Sequence, residues 1–234
     1  MNTADAMLPL LKTVPYFAGL DPEVLKSLAL RCRPNVVPAG RHVFMEGDTC
    51  LHLYVLESGR VKFYRVNPEG REQVLKVFER PGDTFCIASA FSTGRHIVSA
   101  RAAAETRLCL LEMDAVNRLV REHPSVGREL VTTAGEHMAH LVGLADDLAL
   151  KTATGRLAKY LHELAMAEGA AKDKEIRLSR DRLAEEELAS ILGTVRVHVS
   201  RSLTNLARAG AIDIDREFIQ IRDLAVLRRI AEGK

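Results

Sequence analysis

Between residues 36 and 111 the chain is cut by turns at short, nearly regular intervals. Glycines at 40, 47, 59, 70 and 82 do most of the cutting. The stretch HLYVLESGRVKFYRV holds two strand-like runs on either side of Glu57-Ser58-Gly59-Arg60, a hairpin signal with glycine in the loop. Asn67-Pro68-Glu69-Gly70 is a second turn and leads into EQVLKVFE. Pro81-Gly82-Asp83 is a third, and SARAAAETRLCLLE supplies two further short runs. Strands of this length gain a shared core only by packing together, and the pattern predicts an antiparallel barrel or sandwich.

From Met113 the period becomes helical. Val126, Leu130, Thr133, His137, Leu141, Leu144 and Leu148 are spaced as one stripe of a long helix from Val126 to about Leu148, with Pro124 at its start. A narrow near-heptad stripe of this length predicts pairing with a second copy of the same helix.

The character changes again near Lys151. ATGRLAKYLHELA places Leu157, Tyr160, Leu161 and Leu164 on one helical face. The run GAAKDKE reads as a polar loop. EELASILG then sets Leu188, Ile191 and Leu192 on one face and stops at Gly193, and TVRVHVSRSLTNLARAG follows, stopping at Gly210. Two short helices split by a glycine-containing turn predict a helix-turn-helix. AIDIDREFIQI closes the unit as a hairpin around Asp215-Arg216-Glu217, a wing.

The second of these helices, read as Thr194–Arg208, turns Val199, Leu203 and Leu206 inward. Arg196, Val197, His198, Ser200, Arg201 and Thr204 are left as the outward, DNA-contacting set. The segment contains no acid. Arginine forks suit guanine O6 and N7, and hydroxyls suit phosphates. Net charge over the whole chain is only +2, so any basic surface is local.

Other classes find little support. No nucleophile elbow, P-loop, paired catalytic carboxylates or zinc spacing is present, which argues against an enzyme. The N-terminus lacks a basic, apolar leader pattern and no run is apolar enough for a membrane span, so a cytoplasmic protein without membrane contact is expected. The four cysteines, Cys32, Cys50, Cys86 and Cys109, show no disulfide spacing and are expected to be reduced.

Three segments together resemble the cyclic-AMP receptor protein / fumarate-nitrate reductase regulator (Crp/Fnr) superfamily of bacterial transcription factors. They are LYVLESGRVKFYRVNPEGREQVLKVFERPGDTF, the long helix running into ALKTATGRLAKYL, and ELASILGTVRVHVSRSLTNLARAGAI. The resemblance implies an α+β fold. A β-roll sensor with N-terminal helices would span residues 1–125, a dimerisation helix and hinge 126–150, and a winged helix-turn-helix 151–234. It also implies a homodimer on a pseudo-palindromic double-stranded site, RNA polymerase as partner, and an activator. Arg196 and Arg201 match the family's base- and phosphate-contacting arginines, and Ser200 matches the serine of the fumarate-nitrate branch. Two positions depart from the pattern. Val197 stands where many members carry a cytosine-reading glutamate, and Glu185 where the cyclic-AMP branch has a phosphate-contacting arginine.

The sensor departs further. The Gly-Glu pair of the cyclic-nucleotide branch is replaced by Cys86 and Ile87. The phosphate-binding arginine aligns to His96, with Arg95 one residue early, and the base-contacting Thr-Ser pair aligns to Leu141 and Val142. A buried phosphate without its arginine costs several kcal/mol, so the expected effector is not cyclic AMP. No closely spaced N-terminal cysteines precede Cys32, which argues against an iron–sulfur cluster. Two sensor readings are carried forward. One is haem for NO, CO or redox sensing, since GDTFCI resembles the carbon-monoxide-sensing branch and the sensor as a whole resembles nitric-oxide-responsive denitrification regulators. Cys86 and His140 are its axial candidates, with His96 and His137 nearby. The other is an apolar or anionic small molecule at Cys86, Ile87, Arg95, His96, Leu141 and Val142. A regulator active without any effector is a third possibility, and a cyclic-nucleotide-type regulatory subunit without DNA activity is the rival from another class.

Overall fold

The computed structural model describes residues 3–168, 176–180 and 183–233. The run read as a polar loop, 169–175, lies outside the described residues. Contacts divide the chain into two compact units, 1–65 with 75–140, and 66–74 with 141–234.

The first unit opens with two helices, α1 (Thr3–Thr13) and α2 (Pro22–Leu30). Strands follow: β1 (Arg33–Val37), β2 (His42–Phe44), β3 (His52–Ser58), β4 (Val61–Val66), β5 (Glu72–Phe78) and β6 (Thr84–Phe85). A short helix α3 (Ile87–Phe91), strands β7 (Ser99–Ala102) and β8 (Thr106–Glu112), and helix α4 (Met113–Glu122) complete it. One sheet is ordered β1-β8-β3-β6 and the other β2-β7-β4-β5, with antiparallel registers such as Tyr54 opposite Leu110 and Phe63 opposite Ala100. This is the expected antiparallel β-roll.

One local reading is corrected. Glu57–Arg60 is not a hairpin. β3 and β4 are consecutive in sequence but belong to different sheets, so the turn carries the chain round a corner. Gly59 makes the corner possible. Its φ is +97°, and a Cβ there would lie 2.6 Å from the Thr106 Cα.

Cys32 and Cys109 are brought face to face, their Cα atoms 5.5 Å apart. The pair is 77 residues apart in sequence, and only the antiparallel pairing of β1 with β8 brings the two segments together. Spacing carries no trace of that.

Inside the roll, Phe44, Tyr54, Phe63, Phe78 and Phe85 form an aromatic interior. Tyr54 and Phe85 are stacked at 5.1 Å, and Phe63 meets Phe78 edge-on at 4.8 Å. A separate core under the N-terminal helices is built from Leu11, Phe17, Leu53, Val55, Leu111 and their neighbours.

The long helix α5 runs from Pro124 to Leu150. Its first half corrects the predicted stripe. Val126 and Leu130 are buried in the core under the N-terminal helices, and the His137 ring lies 6.1 Å from that of Phe78. Further along, Leu141 and Leu148 of the predicted stripe stay exposed, and so do residues one position on from it. Val131, Met138 and Val142 are exposed, and with Gly135, Ala145 and Ala149 they alternate in steps of four and three.

The second unit contains α6 (Ala153–Ala167), β9 (Ile176–Ser179), α7 (Glu185–Leu192), α8 (Arg196–Arg208), the strands β10 (Ile212–Ile214) and β11 (Phe218–Ile221), and α9 (Leu224–Ala231). The expected wing is present: β10 and β11 pair antiparallel around 215–217, and β9 adds on the other side of β11. Leu157, Leu161, Leu188, Val199, Leu206, Ile212 and Leu227 close the core. Thr152 starts α6 by accepting a hydrogen bond from the Gly155 N–H at 3.1 Å, and Asp223 caps α9 in the same way.

Candidate nucleic-acid interface and sensor cluster

α7 and α8 are joined by a tight turn in which Gly193 has φ +62°. α8 begins at Arg196, two residues later than the pattern suggested. Its inward residues are those predicted, Val199, Leu203 and Leu206, all buried. Ser202 joins them. It accepts a hydrogen bond from the Thr154 hydroxyl at 3.1 Å, which pins α8 to α6. Periodicity gave no sign of Ser202, because a serine on that face reads as a gap in an apolar stripe.

Arg156 fixes the turn from behind. Its Nε donates to the Leu192 carbonyl at 2.8 Å and its Nη1 to the Lys151 carbonyl at 2.6 Å. A guanidinium on the last carbonyls of α7 satisfies acceptors the helix itself leaves open. Asp147 gathers Lys151 and Lys159 on the other side of the hinge. Burial works against its ionisation, but hydrogen bonds from the two ammonium groups outweigh it and hold the carboxyl below its ordinary range.

All six residues assigned to the outward face, Arg196, Val197, His198, Ser200, Arg201 and Thr204, are exposed. Val197 is 65% exposed, an apolar side chain held in solvent in the middle of a polar face. Arg196 is engaged by α7: its Nε lies 3.0 Å from Glu185 and its Nη1 3.1 Å from Glu186. The acid at 185 thus supplies an internal partner for an arginine on the outward face of α8.

The sensor residues divide sharply. Cys86 takes φ +83°, the one non-glycine residue with positive φ among those described, a conformation that costs about 1 kcal/mol or more and is kept where surrounding structure imposes it. The turn separates neighbours: Cys86 enters the aromatic interior, while Ile87 enters the core under the N-terminal helices. His96 is 3% exposed and stacks on Phe44 with ring centroids 3.6 Å apart. Its Nδ1 lies 3.6 Å from the Cys86 sulfur. Arg95 turns outward and donates to the Gly47 carbonyl at 2.8 Å. Leu141 and Val142 fall in the second unit and are 48% and 58% exposed.

Sequence reasoning missed the third member of this group. Cys50 is buried just before β3, and its sulfur lies 3.8 Å from the Cys86 carbonyl oxygen. Ligand atoms of Cys50, Cys86 and His96 all lie within 4.8 Å of one another. Contact with the Cys86 thiol lowers Cys50 to about 5 against the opposition of burial, with His96 adding to the fall. Burial and the same neighbour push Cys86 well up.

The geometry does not suit a haem spanning Cys86 and His140. A porphyrin needs a flat slot with axial groups on opposite faces. Here the Cys86 sulfur meets Cys50 and His96 among packed rings, and His140 is exposed with its Nε2 2.9 Å from the Leu75 carbonyl oxygen.

Comparison with known proteins settles the family. A profile described as "Cyclic nucleotide-binding domain" matches residues 34–123, and one described as "Crp-like helix-turn-helix domain" matches residues 155–230. A Mycobacterium tuberculosis protein, "CRP-like cAMP-activated global transcriptional regulator", is 30% identical over 215 residues, covering 92% of this chain and 95% of its own. The chain belongs to the Crp/Fnr family of transcription regulators. The "Cyclic AMP receptor protein" of Thermus thermophilus is also 30% identical, with coverage of 95% and 99%, and the "Transcriptional activator protein anr" of Pseudomonas aeruginosa is 27% identical, with coverage of 100% and 91%. Among solved structures, FixK2 from Bradyrhizobium japonicum shares the fold with a TM-score of 0.72 at 21% identity, covering 85% of this chain and 96% of its own. This family member is a DNA-binding transcription regulator with a cyclic-nucleotide-binding-type sensor domain; its relatives are regulators and not enzymes. Among the described residues no helix is long and apolar enough to cross a membrane.

Proposed function

We propose that the chain acts as a homodimer that reads a pseudo-palindromic DNA site with two copies of α8, and that its β-roll responds to an effector other than cyclic AMP. The observation carrying the first part is the outward face of α8. Arg196, Ser200, Arg201 and Thr204 stand exposed on a helix anchored by Val199, Ser202, Leu203 and Leu206, with no acid of its own. Arg201 is the base-reading candidate. Val197 offers only an apolar contact, suited to a thymine methyl, where a cytosine acceptor would need a carboxylate.

The open α5 seam, Val131–Gly135–Met138–Val142–Ala145–Ala149, supports pairing with a second copy. Two-fold pairing sets two α8 helices about one DNA turn apart.

For the sensor, the support is Cys50, Cys86 and His96. The position aligned with a nucleotide's phosphate-binding arginine holds a stacked, buried histidine, and the neighbouring arginine points away to Gly47. The convergent cluster favours a small effector over haem. Footprinting and fluorescence anisotropy on DNA from upstream of the chain's own operon test the DNA reading. Protection of two half-sites supports it, and uniform weak binding without protection overturns it.

A further inference from the structure

In the roll's largely apolar interior, three metal-ligating side chains from three different segments meet. Cys50 precedes β3, Cys86 follows β6, and His96 precedes β7. Each is buried, and their ligand atoms lie within 4.8 Å of one another. The backbone holds these segments in place: the Cys50 N–H donates to the Gly94 carbonyl at 2.9 Å, the His96 N–H to the Asp48 carbonyl at 2.8 Å, and the Gly47 N–H to the His96 carbonyl at 2.8 Å. Cys86 is kept at φ +83° and the His96 ring is clamped on Phe44. The donors are therefore preorganised.

We propose that Cys50, Cys86 and His96 form a binding site for one thiophilic divalent cation of the Zn2+ class. Zinc–sulfur bonds of about 2.3 Å and zinc–nitrogen bonds of about 2.0 Å at tetrahedral angles put sulfur and nitrogen donors about 3.5 Å apart. The Cys86 sulfur and His96 Nδ1 are 3.6 Å apart. Two thiolates and a neutral imidazole carry two negative charges, so a divalent ion leaves the buried cluster neutral. A monovalent soft ion such as Cu+ would leave one negative charge among aromatic rings, and burying it there is costly. Binding requires both sulfurs as thiolates, so it releases any thiol proton present. Three protein donors leave a fourth tetrahedral position open to an exogenous ligand, the arrangement of a site that exchanges rather than a closed structural one. The proposal deepens the sensor reading above and rests on it only for the consequence at DNA.

The test uses the full chain, reduced and stripped with a chelator, titrated with Co2+ and then with Zn2+. One equivalent of Co2+ per chain with a thiolate-to-cobalt charge-transfer band, displaced by Zn2+, is expected. Cys50→Ser, Cys86→Ser and His96→Gln should each abolish the band or weaken binding at least tenfold, while His140→Gln leaves it intact. Circular dichroism checks each variant's fold, and His96→Gln still tests the site if a cysteine variant fails to fold. Absence of the band in the intact reduced chain, a band that survives all three substitutions, or preference for Cu+ over Zn2+ in a matched competition overturns the proposal. The two readings separate at DNA. If zinc binds but leaves affinity for the operator unchanged, the sensor reading falls and the metal site stands. If no metal binds while the same substitutions abolish an effector response, the metal proposal falls and the sensor reading stands.

Discussion

Arg196, on the face proposed to meet DNA, is held by the acids of α7. Its contacts with Glu185 and Glu186 are solvent-exposed and worth little to folding, but they compete with phosphate for the same guanidinium. Replacing both acids, Glu185→Gln with Glu186→Gln, should tighten DNA binding several-fold in anisotropy titrations at low salt, with the gain shrinking as salt rises. Unchanged affinity would show that the pairing is incidental. His137 gives a second test at this scale. Burial first, then Lys76 and His140, lower its pKa to about 4 from the ordinary 6.5, with Asp83 opposing. The unfolded chain takes up a proton near pH 6.5 and the folded chain only near 4. Stability is therefore full above 6.5 and declines as pH falls toward 4. Thermal melts should show that decline, and His137→Gln should flatten it. The outward face of α8 was legible residue by residue, because an amphipathic helix sorts inward from outward by period alone. Cys50 was not, because it lies 36 residues from Cys86 and its meeting with Cys86 and His96 is made by the roll.

At the scale of elements, α5 shows what a hydrophobic period can and cannot say. The helix and its extent were legible. The face left open was legible only in part, since the apolar residues at 126 and 130 are used by the first unit while Val131, Met138 and Val142 are exposed beside Leu141 and Leu148. A carboxylate at the middle of that face would be buried unpaired in both copies, so Val142→Asp should weaken the dimer about a hundredfold or more. Sedimentation velocity at micromolar concentration should then report a monomer. A Val142→Asp chain that remains dimeric would move the interface elsewhere. The helix-turn-helix depends in turn on Arg156, which holds the end of α7 through the Leu192 carbonyl. Arg156→Ala should cost about 1–2 kcal/mol of stability, read as a lowered Tm, and weaken DNA binding without removing any DNA contact. The hairpin expected at 57–60 failed for a related reason. A glycine turn fixes a change of direction, and which sheet the next strand joins is decided by contacts far away in sequence.

For the whole molecule, the order of parts follows from patterns of different strength: turn-punctuated strands, one long helix, then two short helices and a wing. The family's architecture was legible because each part announces itself locally. The buried cluster inside the roll was not legible in the same way, because Cys50, Cys86 and His96 meet among aromatic rings only once distant segments are folded together. Sequence-specific binding by paired α8 helices is tested most directly by DNase footprinting with parallel anisotropy titration of the intact chain and Arg201→Ala on one operator fragment. Two protected half-sites about one helical turn apart are expected, with a loss of about 1–3 kcal/mol in the variant that is confined to the cognate sequence. A single protected half-site, or an Arg201→Ala chain with unchanged footprint and affinity, would contradict it.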